Sequence, residues 1–182
     1  MSASADNIVL IGPMGAGKSS VARELSALTR RRWVDTDRLV VRETGAPITE
    51  IFAARGEAGF RQMETAALRS LAGSRRLIVA TGGGIVTTEV NPPLLRALGC
   101  VVWLTASEDV LFERVSRNDR RPLLQTVDPR ATLHTLLERR RPLYAACAHV
   151  TVDTGVGTHM QVAENVLERV RAFFAASDAV QA

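Results

Sequence analysis

GPMGAGKSS, Gly12 to Ser20, stands directly behind the apolar run NIVLI (7–11) and ahead of VARELSALT (21–29), whose apolar residues recur at helical spacing. A glycine-rich turn between a buried strand and a helix is the context in which the pattern G-x-x-x-x-G-K-[ST] grips phosphate. Glycines at 12, 15 and 17 let the chain curl until successive N–H groups point inward, and the first turn of the helix adds the positive end of its dipole. Lys18 then reaches β- and γ-phosphates, and the Ser19 hydroxyl suits Mg²⁺. The alternative for the stretch is a plain glycine turn joining strand to helix.

Outward from this turn, β-rich runs at 8–11, 32–34, 77–80, 101–104 and 149–152 alternate with helical patterns at 18–29, 37–44, 48–56, 59–71, 91–98, 107–117, 130–146 and 157–176. That alternation predicts an α/β fold with a mostly parallel sheet. Ser107 ahead of Glu108 and Asp109 marks a helix start, and Gly45 and Gly56 mark two ends. A chain of 182 residues builds one core, expected over 1–176 with a frayed end at 177–182. NDRRPLLQTVD (118–128) breaks the helical period, holds Pro122 and reads as a mobile loop.

The net charge of +4 comes from 23 basic residues, almost all arginine, dispersed from Arg23 to Arg171 and not collected in a tail. Such a balance suits an anionic small substrate as well as it suits nucleic acid. Aromatic residues make up 4% of the chain and never interleave with basic ones, which argues against nucleic acid as a partner. Cys100 and Cys147 lack metal-type spacing and read as buried thiols in a reducing compartment. No leader pattern and no run of about 18 apolar residues is present, so a cytoplasmic protein without a membrane partner is expected.

An acid for the metal is missing where it is often found, because RRLIVA (75–80) runs into TGGG with no carboxylate. RWVDTD (32–37) supplies two instead, and in an extended chain Asp35 and Asp37 point to one side, toward the carboxyl edge of the sheet. Asp37 is equally open to a role as N-cap of the next helix. Arg61 offers a carboxylate two parallel donors and Glu64, three residues on, can pin it; an ordinary surface ion pair is the alternative. Gly82, Gly83 and Gly84 form either a wide turn or a close backbone approach to a ligand. Leu133, Leu136, Leu137 and Arg140 share a helix face, which turns Arg140 inward, while Leu143 and Tyr144 read as core. His134, His149 and His159 have no spacing suited to a metal.

GPMGAGKS, DTD, GEAGFR, TGGG, RRPLL and RRRPLY, in this order over residues 7–154, resemble the shikimate kinases. The resemblance implies a three-layer fold with a five-stranded parallel sheet in the order 2-3-1-4-5, a substrate-binding insert near 36–62 and a lid near 115–128. It implies phosphoryl transfer from ATP to the 3-hydroxyl of shikimate, with Mg²⁺, by a monomer. ATP would be held by Gly15, Ala16, Gly17, Lys18, Ser19, Ser20, Arg114 against the adenine, and Arg121 in the lid. Mg²⁺ would be held by Ser19 and Asp35. Shikimate would be held by Asp37 at its hydroxyl, by Arg61 and Arg140 at its carboxylate, and by Gly82, Gly83 and Gly84, with Lys18, Asp37 and Arg121 carrying the catalysis.

Two stretches depart from the family pattern. AACA (145–148) stands where many members carry a charge, and GVGTHM (155–160) matches no adenine-contact pattern. The rival readings are a kinase for another small acid such as gluconate, and a regulatory module that has lost the reaction. The first would not need two inward arginines beside an acid. The second predicts loss of Lys18, Asp35 or Asp37, all of which are present.

Overall fold

Asn7, fully buried, ties the start of the sheet together. Its side-chain nitrogen donates to Ser74 O at 2.7 Å and Leu98 O at 2.8 Å, and its oxygen accepts from Leu77 N at 2.8 Å. A buried amide costs free energy unless such partners exist, so this residue fixes where three segments begin or end. In the computed structural model, residues 6–117 and 126–181 are described.

The strands are β1 (Asn7–Ile11), β2 (Arg32–Asp35), β3 (Leu77–Ala80), β4 (Gly99–Thr105) and β5 (Val150–Asp153). They form one parallel sheet in the order β2-β3-β1-β4-β5. The order expected from the resemblance is therefore found. The helices are α1 (Lys18–Thr29), α2 (Thr36–Thr44), α3 (Ile48–Arg69), α4 (Asn91–Leu98), α5 (Glu108–Ser116), α6 (Pro129–Cys147) and α7 (His159–Gln181). Helix α7 thus continues past Ala176, where the apolar period was read to stop.

Strand β1 shows how its sequence makes a central strand. Alternate residues serve opposite faces: Ile8 and Leu10 pack with Val21, Leu25, Leu111 and Val166, whereas Val9 and Ile11 pack with Leu68, Leu95 and Tyr144. All five residues of β1 are buried. A smaller cluster of Val40, Ile51, Phe60 and Ala67 joins α2 to α3, the elements that carry Asp37 and Arg61.

The two helices expected at 48–56 and 59–71 are found as two helical segments of α3 that meet at a kink. Gly56, at the non-helical φ 66° and ψ −177°, ends the first segment, as its place in the sequence suggested. Gly45 ends α2, in the left-handed conformation with its N–H on Val41 O at 2.9 Å. Leu143 is a correction: it is 39% exposed, because the buried face of α6 runs Leu133, Leu137, Arg140, Tyr144, Cys147 and position 143 lies off it. Arg121, Pro122 and most of the expected lid lie outside the described residues.

The arginines dispersed along the chain are gathered by strand register. Arg32 pairs with Leu77 across β2 and β3. Arg30 and Arg31 therefore meet Arg75 and Arg76 at the amino edge of the sheet, around a cleft of about 460 Å³. Asp6 binds Arg31 at 3.2 Å and accepts from Arg76 N at 2.9 Å.

Gly12 tests the close packing behind the phosphate turn. It sits at φ 140°, and a Cβ there would fall within 3 Å of Leu104 O. Gly12→Ala is expected to cost more than about 2 kcal/mol. Gly45→Ala, left-handed but with open space around it, should cost about 1 kcal/mol. Melting temperatures of the two variants check the ranking.

Candidate active site

The phosphate turn is built as its glycines require. Gly15 and Gly17 have φ 82° and 79°, and Gly17 caps α1 without a side-chain hydrogen bond to the first N–H groups of that helix. Lys18 Nζ donates to Gly12 O at 2.7 Å and Pro13 O at 2.8 Å, which holds the ammonium over the turn. Ala16 is buried, and Ser20 lies in the first turn of α1.

Asp35 and Asp37 divide their roles differently from the extended-chain expectation. Helix α2 begins at Thr36, so Asp37 is already helical and the two side chains do not share one strand face. Asp35 is the N-cap: its Oδ1 accepts from Asp37 N at 3.0 Å and Arg38 N at 3.4 Å. Its Oδ2 accepts from Ser19 Oγ at 2.8 Å, beside the phosphate turn. Asp37 is thereby released from capping. Its Oδ1 is buried, has no hydrogen-bond partner among the described residues and lies against Gly82, whose N–H donates to Thr36 Oγ1 at 3.1 Å.

Gly82, Gly83 and Gly84 turn the chain, with Ile85 N donating to Gly82 O at 3.2 Å, and other groups of the chain pack closely against them. A Cβ on Gly82 would strike Glu64 Oε1 and Asp37 Oδ1, and one on Gly84 would strike the Arg61 guanidinium. Gly83 lies against the phosphate turn, where a Cβ would be 3.3 Å from Met14 N and 3.6 Å from Gly12 O. Its carbonyl accepts from Arg140 Nη1 at 3.5 Å and from the Tyr144 hydroxyl. Tyr144 is fully buried as expected but also touches this turn, a contact that side-chain periodicity does not reveal.

Arg61 Nη1 pairs with the fully buried Glu64, and its Nη2 donates to Glu57 Oε1 at 2.8 Å. Glu57 and Thr36 were missed by sequence reasoning; both lie inside recognised motifs, GEAGFR and DTD, beside residues that were singled out. Arg140 is buried as its helix face predicted. Arg114 reaches Thr154 O at 2.6 Å, Thr154 Oγ1 at 3.1 Å and Gly15 O at 3.4 Å, and so joins the phosphate turn to the start of GVGTHM. His159 lies close enough to Gly17 that a Cβ there would be 3.6 Å from its ring.

Phosphate turn, Asp37, Arg61, Gly83 and Arg140 therefore meet at one place on the carboxyl edge of the sheet. The family model for shikimate kinase matches residues 14–171. The chain belongs to the shikimate kinase family. A shikimate kinase of Halorhodospira halophila is 45% identical over 164 residues, which are 90% of this chain and 93% of that one. A shikimate kinase of Nitrosospira multiformis is 42% identical over 92% of this chain and 86% of its own length. The structure of the Acinetobacter baumannii shikimate kinase in complex with shikimate superposes with a TM-score of 0.89 at 40% identity, covering 93% of this chain and 94% of that one.

The acids of this kinase site are tuned by burial and by each other. Asp37 is pushed up to about 7, chiefly by burial and then by Glu64 and Asp35, against the pull of Lys18 and Arg61. Burial also raises Glu64, with Arg61 and Arg140 opposing it. Burial disfavours the charge on Arg61, but Glu64 and Glu57 outweigh that and hold the guanidinium protonated. Three of the four buried side-chain atoms without a partner among the described residues are Asp37 Oδ1, Arg61 Nε and Glu64 Oε1. Such concentration marks the site as built for a polar ligand.

Asp37 carries a stability cost that depends on pH. Its folded value of about 7 lies above the ordinary 3.8, so the folded state holds the proton and stability declines as pH rises from about 4 to 7. Asp37→Asn is expected to melt at least about 2 °C higher at pH 8. The gain should shrink below pH 7 and vanish near pH 4, as read from thermal melts across that range.

Proposed function

We propose that this chain transfers the γ-phosphoryl of ATP to the 3-hydroxyl of shikimate, giving shikimate 3-phosphate and ADP. The observation that carries the reading is the meeting of Asp37, Arg61, Gly83 and Arg140 beside the phosphate turn of Lys18. Two guanidinium groups and an acid on one side of that turn fit a cyclic acid that must present one hydroxyl in line with a phosphoryl group. A loose transition state asks for positioning and charge stabilisation more than for strong base catalysis.

In this reading the N–H groups of Gly15 to Ser20 and the Lys18 ammonium hold the transferring phosphate. Arg61 and Arg140 hold the acceptor carboxylate, and the Gly83 N–H orients the ring. Asp37 Oδ1 accepts the hydroxyl hydrogen, and at neutral pH its raised affinity for a proton lets it take that hydrogen as transfer proceeds. Arg114 serves the adenine side and Arg121 the lid, which excludes water from the phosphoryl group.

Ser19 and Asp35 suit Mg²⁺: their hydroxyl and carboxylate oxygens lie 2.8 Å apart at the foot of the turn. Mg²⁺ takes one or two protein oxygens beside waters and phosphates. When bound it neutralises phosphate charge. The reading includes a monomer in the cytoplasm. The two unpaired buried thiols accord with a reducing compartment, and among the described residues no helix is long and apolar enough to cross a membrane.

ADP release should require shikimate together with ATP and magnesium, and gluconate should not replace it. Equal turnover with gluconate would remove shikimate as the acceptor. Asp37→Asn should lower kcat by at least about 100-fold with little change in ATP affinity. For the native chain, kcat/KM should fall as pH drops through about 7, because the protonated carboxyl no longer accepts the hydroxyl hydrogen.

A further inference from the structure

Arg61 has five N–H groups and only part of its outline is taken. Nη1 is bound by Glu64, whose side chain has no exposure, and Nη2 donates to Glu57 Oε1 at 2.8 Å. Nε is buried and has no hydrogen-bond partner within the described residues. A carboxylate docks on a guanidinium through two parallel hydrogen bonds, either across both terminal nitrogens or along the edge formed by Nε and Nη2. Glu64 closes the first way, because its carboxylate is fully buried and has nowhere to go.

The second edge has one nitrogen without a partner and one held by an exposed acid. Glu57 is 58% exposed, so water can receive its carboxylate when it leaves. Gly56, directly before it, breaks the helical ladder of α3, so Glu57 opens the segment after a kink. An incoming acid also adds a negative charge to a region already holding Asp35, Asp37 and Glu64. Exchange of one carboxylate for another keeps the local charge constant.

We infer that Glu57 is a built-in placeholder for the acceptor carboxylate: it occupies Nη2 of Arg61 in the free protein and is displaced when the acceptor takes the Nε–Nη2 edge. The inference rests on the proposed role of Arg61. Glu57 is then a positioning residue that sets acceptor affinity by competition, and its loss improves binding.

Steady-state kinetics of Glu57→Ala and Glu57→Gln, with shikimate and ATP varied separately, test this. The KM for shikimate should fall about two- to five-fold, the range of an exposed ion pair, while kcat and the KM for ATP hold. Glu50→Gln, which removes an acid of α3 that makes no ion pair with Arg61 among the described residues, should leave the shikimate KM unchanged. The carboxamide of shikimate, lacking the charge that competes, should gain nothing from Glu57→Ala.

A rise in shikimate KM for Glu57→Ala would mean that Glu57 steadies Arg61, and would overturn the inference. An equal fall in Glu50→Gln would assign the effect to the general field and overturn it as well. Arg61→Gln separates the two levels. A raised shikimate KM there, with no gain from the Glu57 variants, sinks only the placeholder. An unchanged KM in Arg61→Gln sinks the role of Arg61 itself.

Discussion

Backbone meets backbone or charge without a side chain between them at two points, and the rest of the site is arranged around those contacts. Gly12 lies against the carbonyl of Leu104, which seats the phosphate turn on the end of β4. Gly82, Gly83 and Gly84 lie against Asp37, Glu64, the phosphate turn and Arg61. A single Cβ at most of these positions would push apart groups that the proposed transfer needs as neighbours. The glycines are therefore a constraint on distance more than on flexibility.

Around that contact the charges are arranged to balance. Asp37 and Glu64 press on the same side of Gly82, and both are pushed toward protonation by burial. Arg61, Arg140 and Lys18 oppose this, and the Gly83 carbonyl helps to fix Arg140. In a low-dielectric setting each unpaired charge is costly, so the guanidinium groups do two things. They oppose protonation of the acids, and in the proposed reading they also present donors to the acceptor carboxylate.

Asp35 shows how a residue singled out from sequence can have its geometry misread. Its place before a helix was visible, but the helix begins one residue earlier than the extended pattern suggests, and this makes Asp35 the cap and frees Asp37. Arg140 was legible because helical spacing placed it with Leu133 and Leu137. Leu143 was misjudged because hydrophobicity alone does not say which side of that face a residue takes. The contact of Tyr144 with Gly83 and the hold of Glu57 on Arg61 escaped for a different reason: each is one side-chain hydrogen bond, with no periodicity to announce it.

Taken alone, the sequence determined the alternation of strands and helices, the phosphate turn around the chain's single lysine, and the family. These follow from local causes: apolar period, glycine conformations, and motifs whose residues act on near neighbours in the chain. Only the tertiary structure decided that residues 12, 37, 61, 83 and 140 share one edge, and that arginines 30–32 and 75–76 share the opposite one. Both outcomes depend on strand order and register. A parallel sheet brings all strand ends of one kind to one side, and which ends become neighbours is set by long-range pairing such as Arg32 with Leu77.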